Sequence, residues 1–143
     1  MEDSKNLYSL ILSLNKICEG TQSEAFNKQI FSVKFKILFL IYSYGQVSPS
    51  VLVSELNMAK SNVALFCKQL LAEQFIVGSV DKFDHRIVYY SLTKKGQKQV
   101  ENNLNYLQTY LEGCCSQLGL KTLSKNTRNI LQIISKMGAN KDA

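Results

Sequence analysis

The chain has 143 residues, of which 45% are hydrophobic and 20% charged, and its formal net charge is +6. This length suits one domain, residues 1–143, and the lack of a long like-charge run excludes a disordered basic tail. The basic excess suits a protein that binds a polyanion. The N terminus lacks the apolar run of a signal peptide, and the most apolar stretch, Ile37–Ile41, is too short to span a bilayer. We therefore expect a cytoplasmic protein with no membrane partner.

The first predicted helix covers residues 3–19, with Asp3 or Ser4 as its cap and Gly20 at its end. Its apolar residues recur at spacings of three and four, which is the period of an amphipathic helix. They are Leu7, Leu10, Ile11, Leu14, Ile17 and Cys18.

A short segment, Phe26–Ile30, leads to a second main helix that begins after Ser32 and runs through Tyr44 to Gly45. Serine is a favoured N-cap, and glycine commonly follows the last helical residue. The apolar residues of this helix cover most of its circumference, so we expect burial on nearly all sides. They are Phe35, Ile37, Leu38, Leu40, Ile41 and Tyr42.

Two short helices are predicted next, over Pro49–Leu56 and Ala59–Gln74, with two residues between them. Ser48 is a good N-cap, and proline suits the first helical position. The second helix has one apolar face that we expect to be buried. This face consists of Val63, Phe66, Cys67, Leu70 and Leu71.

Strands over Phe75–Val80 and Ile87–Leu92 are predicted to enclose a polar tip. The fold class is therefore mainly α with a small β-hairpin wing. Helix, tight turn, helix and hairpin form a winged helix-turn-helix module, here at about residues 32–96. Such a module places its second helix in a major groove of DNA.

The C-terminal part is predicted to form two more helices. Thr93 caps a helix from Lys94 to about Leu118, and Ser124 caps a last helix that ends at Gly138. We expect residues 3–19 and 94–138 to bury their apolar stripes against a second copy of the chain. The alternative is a monomer in which they pack on their own module. The residues predicted at the dimer interface are Leu7, Leu10, Ile11, Leu14, Leu104, Leu107, Leu111, Ile130 and Ile134.

Residues 47–96, which contain the predicted helix-turn-helix and hairpin, resemble the MarR family of winged-helix transcription regulators. The matching motifs are Ser54-Glu55-Leu56, Lys60-Ser61-Asn62-Val63, Asp84-His85-Arg86 and Leu92-Thr93-Lys94-Lys95-Gly96. The resemblance covers nearly the whole chain and implies a homodimer that binds double-stranded DNA. The family often has glycine where Gln74 stands, basic residues near Gly78 and Ser79, and a polar residue where Leu65 stands.

The exposed face of the second short helix is predicted to contact bases and backbone, with Asn62 suited to adenine and the lysines to phosphates. In the wing, Arg86 suits a narrow minor groove, and Asp84 can hold it by a bidentate pair. The alternative for the helix is a face that only contacts solvent. The alternative for Asp84 and Arg86 is a surface ion pair of little energetic value. Leu65 is expected to pack on the neighbouring helix, and the alternative is contact with a thymine methyl group. The candidate DNA-binding residues are Ser50, Lys60, Ser61, Asn62, Ala64, Lys68, Lys82, Asp84, His85 and Arg86.

The four cysteines show no CxxC spacing, and His85 is the one histidine, so we expect no metal site. Cys18 is a candidate redox sensor, because some MarR-type proteins sense oxidants through a cysteine in this region. It also continues an apolar stripe, where cysteine usually acts as a small hydrophobe. Cys67 is predicted to lie in the core. No catalytic constellation or cofactor motif is present, so we expect neither an enzyme nor a cofactor.

The sequence thus predicts a dimeric, sequence-specific DNA-binding regulator, a repressor released from a palindromic operator by a small-molecule effector. One alternative keeps the fold and makes the effector an oxidant acting at Cys18. Another is a winged-helix protein-interaction module that has lost DNA binding, which the missing basic residues near Gly78 and Ser79 suggest.

Overall fold

The computed structural model describes residues 2–18, 24–114 and 119–139. Its helices and strands in chain order are α1 (Glu2–Cys18), α2 (Glu24–Ile30), α3 (Val33–Tyr44), β1 (Gln46–Val47), α4 (Pro49–Leu56), α5 (Lys60–Ala72), β2 (Ile76–Val80), β3 (Val88–Leu92), α6 (Lys94–Cys114) and α7 (Leu120–Ala139). The predicted class, mainly α with a small β wing, is confirmed. The chain divides into two compact units, one up to Asn103 and one from Leu104 onward. The single domain of residues 1–143 stays a prediction.

Helix α3 begins and ends where the sequence predicts. The hydroxyl of Ser32 accepts a hydrogen bond from the Phe35 N–H at 3.2 Å, and Gly45, with φ +81, donates its N–H to the Ile41 carbonyl at 2.8 Å. The prediction of burial on nearly all sides is wrong, because Tyr42 is 42% exposed. The sheet and the next two helices contact α3, and its buried residues are Phe35, Ile37, Leu38 and Ile41.

The core of the N-terminal unit lies where α3, α4, α5 and the sheet meet. Its fully buried side chains include Ile37, Ile41, Leu52, Val63, Cys67, Leu70 and Ile76. The predicted buried face of α5 is correct at three positions and wrong at Leu71, which is 38% exposed. Leu71 lies one residue from fully buried Leu70 and therefore points about 100° away from it around the helix.

The sheet has a strand that the sequence did not indicate. Strand β1 has two residues and pairs antiparallel with β3, which gives the order β1-β3-β2. Strands β2 and β3 form the predicted hairpin, with Ile76 opposite Leu92 and Val80 opposite Val88. We call residues 76–92 the wing. A strand of two residues has no periodicity to detect, and its existence depends on a partner far along the chain.

A close contact joins the base of the wing to helix α6. The Thr93 hydroxyl donates to the Gln74 carbonyl at 2.7 Å and accepts from the Gly96 N–H at 3.0 Å, which confirms Thr93 as the cap. The Thr93 N–H donates to the Phe75 carbonyl at 3.0 Å. A Cβ atom on Gly96 would overlap this carbonyl oxygen and lie 3.0 Å from its carbon. Glycine at this position therefore lets α6 start directly against the wing.

The helix ends in the terminal regions differ in part from the prediction. Helix α7 starts at Leu120, so the predicted cap Ser124 is wrong and lies inside the helix. The reason is Gly119, whose φ of +71 lets the chain turn and begin a helix at the next residue. The predicted ends at Gly20 and Leu118 lie outside the described residues. None of the helices, within the ranges described, is long and apolar enough to cross a membrane.

Candidate nucleic-acid interface

The turn between α4 and α5 sets the direction of the second helix. Helix α4 ends at Leu56 and is capped by Asn57, whose φ of 50 and ψ of 47 are left-handed, a conformation that asparagine tolerates. The Met58 N–H donates to the Val53 carbonyl at 3.3 Å, and α5 then begins after Ala59. Two helices joined by so short a turn form the predicted helix-turn-helix.

Helix α5 presents one face to solvent. The exposed residues on this face include Lys60, Ser61, Asn62, Ala64 and Lys68, which are the five that the sequence singled out. Leu65 is 52% exposed, so the expectation that it packs on the neighbouring helix is wrong. Leu65 follows Ala64 on the outward side, and the core contacts of α5 belong to the opposite face.

The loop of residues 81–87, which we call the wing tip, is folded around the carboxylate of Asp81. One oxygen of this carboxylate accepts hydrogen bonds from the N–H of Phe83 at 2.8 Å and of Asp84 at 2.9 Å. The Asp84 N–H first, and the Phe83 N–H second, lower the pKa of the Asp81 carboxyl because they stabilise its charged form. The Asp81 N–H donates to the Ile87 carbonyl at 2.9 Å and closes the loop.

Asp84 and Arg86 form the predicted bidentate pair. The Arg86 Nε lies 3.1 Å from Asp84 Oδ1, and its Nη2 lies 3.4 Å from Oδ2. The guanidinium first, and then the Arg86 N–H, lower the pKa of the Asp84 carboxyl. The two residues lie in the wing tip and not in either strand. The Arg86 side chain is 91% exposed, so the pair orients the guanidinium without removing it from solvent.

A cleft of about 410 Å³ brings together candidate residues from three elements. Ser50 comes from the first turn of α4, Lys60 from the first turn of α5, and Arg86 from the wing tip. Its other lining residues are Ser48, Pro49, Val53, Ile87 and Val88. We call it the basic cleft. Two cations, two hydroxyls and a helix N-terminus suit a phosphate group.

Ser48 behaves differently from its prediction as a side-chain cap. It occupies the N-cap position before Pro49, but its hydroxyl makes no cap hydrogen bond and lies 2.9 Å from the hydroxyl of Ser50. Both hydroxyls therefore belong to the lining of the basic cleft. The other candidate residues are not part of this lining. They are Ser61, Asn62, Ala64 and Lys68 on α5, and Lys82, Asp84 and His85 in the wing tip.

One exposed residue near the site was missed by sequence reasoning. Phe83, in the middle of the wing tip, is 99% exposed. Its signal in the sequence is a single phenylalanine within the otherwise polar run from Asp81 to Arg86.

Neither a family model nor a curated protein matches the chain. Several solved structures match it. The transcriptional regulator Tm0710 from Thermotoga maritima is 26% identical, with a TM-score of 0.62, over 95% of this chain and 99% of that one. BldR from Sulfolobus solfataricus, a transcriptional regulator, is 21% identical with a TM-score of 0.67, over 92% and 99%. A MarR variant from E. coli complexed with operator DNA is 16% identical with a TM-score of 0.61, over 90% and 93%.

The chain has a MarR-like winged-helix fold. The predicted resemblance is therefore confirmed at the level of the fold, and the high coverage agrees with its predicted extent over nearly the whole chain. Of these three similar structures, two are described as transcriptional regulators and the third as bound to operator DNA.

Within this MarR-like fold, Cys67 is confirmed as a core residue. It is 1% exposed, and burial raises the pKa of its thiol to about 11, so the thiol stays protonated near neutral pH. The side chain of Cys18 lies outside the described ones, and its candidate role stays a prediction. Among the residues that the structure describes, no group of three or more His, Cys, Asp or Glu side chains could hold a metal ion.

A second cavity, of about 570 Å³, lies within the N-terminal unit. Its lining combines lysines and amides with apolar side chains from α3, α5 and the loop before β2. The lining residues are Lys28, Gln29, Ser32, Lys34, Phe35, Leu38, Leu70, Phe75, Gln99, Asn102 and Asn103. Asn103 is 7% exposed, and its amide donates to the Gln29 carbonyl at 2.8 Å, which fixes one side of the cavity. We call it the amide cavity.

Proposed function

We propose that this protein is a homodimeric, sequence-specific DNA-binding regulator of transcription. In this proposal it is a repressor that a small-molecule effector releases from a palindromic operator. The observation that carries the proposal is the basic cleft, because Ser50, Lys60 and Arg86 come from three elements and share one lining. A basic surface without a binding role would not be expected to bring a hydroxyl and two cations together beside the N-terminus of a helix.

The proposed contacts follow from the exposure of each side chain. Helix α5 lies in a major groove, where Asn62 reads an adenine edge while Ser61 and Ala64 allow close approach. Ser50 and Lys60 hold a phosphate at the border of that groove. Arg86, oriented by Asp84, enters the adjacent minor groove, where negative potential is concentrated. Lys68, Lys82 and His85 contact flanking phosphates as the two helices of the dimer seat in successive major grooves.

The dimer is proposed from apolar surface on the terminal helices. In α7, Leu131, Ile133 and Ile134 are between 50% and 59% exposed, a degree of apolar exposure that marks an interaction surface. Replacing Leu104 and Leu107 with lysine is expected to give monomer or unfolded protein by light scattering. Wild-type protein that stays monomeric at micromolar concentration would contradict the dimer.

The effector site is proposed at the amide cavity. Lys28 provides positive charge beside an apolar floor that includes Phe35 and Phe75, which suits a small anion with an apolar body. The ammonium of Lys34, in the same lining, is paired with the Glu73 carboxylate at 2.6 Å. Helix α5 contributes Leu70 to the same lining, so occupation of the cavity can shift the helix that reads DNA. A change in the separation of the two recognition helices then prevents both from seating at once.

The test begins with selection of bound duplexes from a random pool by the purified protein. Recovered sequences should be palindromic, with half-sites roughly 10 base pairs apart from centre to centre. Affinity for the selected duplex and for base-substituted versions is then measured by fluorescence anisotropy across salt concentrations.

Three variants should separate the proposed contacts. Arg86→Ala should lose most affinity where the wing covers A·T-rich DNA. Asn62→Ala should relax one base position at a cost of about 1–3 kcal/mol there. Lys68→Ala should weaken all sequences alike and reduce the salt slope by about one unit for each phosphate that the variant no longer neutralises.

Lys36→Ala is the matched control, because Lys36 is an exposed lysine on α3 outside the basic cleft. It should leave affinity and salt slope unchanged. Equal losses on every sequence for all four variants would leave a non-specific basic surface and refute the proposal.

A further inference from the structure

The wing tip carries a phenyl ring that does not take part in the core. Phe83 is 99% exposed, so its ring contributes little to the stability of the fold. Single exposed hydrophobic side chains are common on protein surfaces, so the inference of a partner depends on how this ring is held and on what surrounds it.

The backbone beneath the ring is held in place. The Phe83 and Asp84 N–H groups both donate to the Asp81 carboxylate, and the Ile87 N–H donates to the Asp84 carbonyl at 3.0 Å. Together with the bond from the Asp81 N–H to the Ile87 carbonyl, these contacts fix the loop. The ring therefore projects from a rigid support, and ordering it on a partner costs little entropy beyond its own two torsions.

The neighbours of the ring indicate which partner covers it. Lys82 precedes it, and the exposed guanidinium of Arg86 lies three residues later. Lys82 and Arg86 are exposed, whereas Asp81 and Asp84 are half-buried and their carboxylates accept hydrogen bonds from backbone N–H groups and from Arg86. An apolar ring set among cations matches the minor groove of DNA, where apolar side chains act as wedges between base steps.

We infer that Phe83 inserts between base pairs of the minor groove under each wing and partly unstacks them. This inference rests on the proposed function and adds a DNA distortion that the polar contacts do not require. It assigns the wing two tasks, with Arg86 sensing the width of the groove and Phe83 opening a base step. Flexible pyrimidine–purine steps are then favoured at that position, because they unstack most easily.

The experiment uses the duplex selected above, with 2-aminopurine placed at successive adenine positions under the wing. Wild-type protein should raise its fluorescence at one position, because an unstacked base is less quenched. Phe83→Ala should abolish this rise and weaken binding roughly tenfold or more, as expected when one aromatic ring no longer stacks on a base. Its unfolding midpoint and salt slope should equal those of the wild type. Phe83→Leu, which keeps an apolar wedge, should retain part of the fluorescence rise.

Lys82→Ala, at the residue next to Phe83, is the variant to compare with Phe83→Ala. It should reduce the salt slope and leave the fluorescence rise in place, because a phosphate contact releases counterions and a wedge does not. If wild type binds and Phe83→Ala binds equally well with the rise intact, the inference fails while the proposed function stands. If wild type selects no duplex, both fail. A change in the sedimentation of DNA-free protein caused by Phe83→Ala would place the ring against another copy of the chain and also overturn the inference.

Discussion

Gly96→Ala tests the close contact between the wing and helix α6. The new Cβ would overlap the Phe75 carbonyl oxygen, so either α6 or the start of β2 must move. That carbonyl accepts from the Thr93 N–H, and the Thr93 hydroxyl joins Gln74 to Gly96, so the movement weakens up to three hydrogen bonds. Each is worth about 0.5–1.5 kcal/mol, and overpacking adds about 1–3 kcal/mol.

Alanine also favours the helix by about 1 kcal/mol relative to glycine, which offsets part of this cost. The net free energy of unfolding should therefore fall by about 2–4 kcal/mol, which lowers Tm by roughly 6–12 °C for a chain of this size. The measurement is thermal and urea unfolding followed by circular dichroism at one fixed protein concentration.

The control for Gly96→Ala is Gly113→Ala in the same helix. A Cβ on Gly113 has nothing within 4 Å, so this variant should be as stable as wild type or more stable by up to about 1 kcal/mol. Equal stability of the two variants would show that the contact at Gly96 yields without cost, and the reasoning would be wrong.

Three further predictions concern single residues. Gln74 has φ +61, a left-handed conformation that is strained for a residue with a Cβ, so Gln74→Gly should raise the free energy of unfolding by about 0.5–1 kcal/mol. Gln74→Ala keeps the Cβ and should not raise it. Destabilisation by Gln74→Gly would show that this backbone strain is absent. Because the pKa of Asp84 is lowered, its pairing with Arg86 should persist at pH 4 and disappear as the pH falls through the lowered pKa. By NMR, Arg86→Ala should move the Asp84 midpoint upward without moving that of Asp81, and an unchanged Asp84 midpoint would contradict the pair. Peroxide should have little specific effect on DNA binding, and a thiol-reversible release that vanishes in Cys18→Ser would establish Cys18 as the sensor.

The features that the sequence predicted correctly are those that depend on neighbours along the chain. Ser32 and Thr93 cap their helices within three residues, and Gly45 ends α3 through its own backbone conformation. The Asp84–Arg86 pair spans two residues. Local chemistry of this kind can be predicted from the sequence, because the interacting groups are already adjacent along the chain.

Apart from the caps at Ser48 and Ser124, the features that were missed depend on which segments meet in space. Strand β1 exists because Gln46 and Val47 find Ser91 and Tyr90 more than 40 residues away. The outward direction of Leu65 follows from which side of α5 the core occupies. The basic cleft likewise has no sequence signature, since its hydroxyls and its two cations come from three separate elements. The candidate residues could be nominated from the sequence, but their grouping could not.

The position of β2 at one edge of the sheet affects how the protein behaves at high concentration. Within the described residues β2 has one strand neighbour, β3, and Val77, Gly78, Ser79 and Val80 are all exposed along it. Proteins commonly protect such edges with lysine, proline or a bulge, which discourage pairing with a strand of another molecule. This strand has none of the charged residues that serve as gatekeepers. The wing is therefore open to intermolecular β-pairing and aggregation, and a bound partner that covers it also protects it.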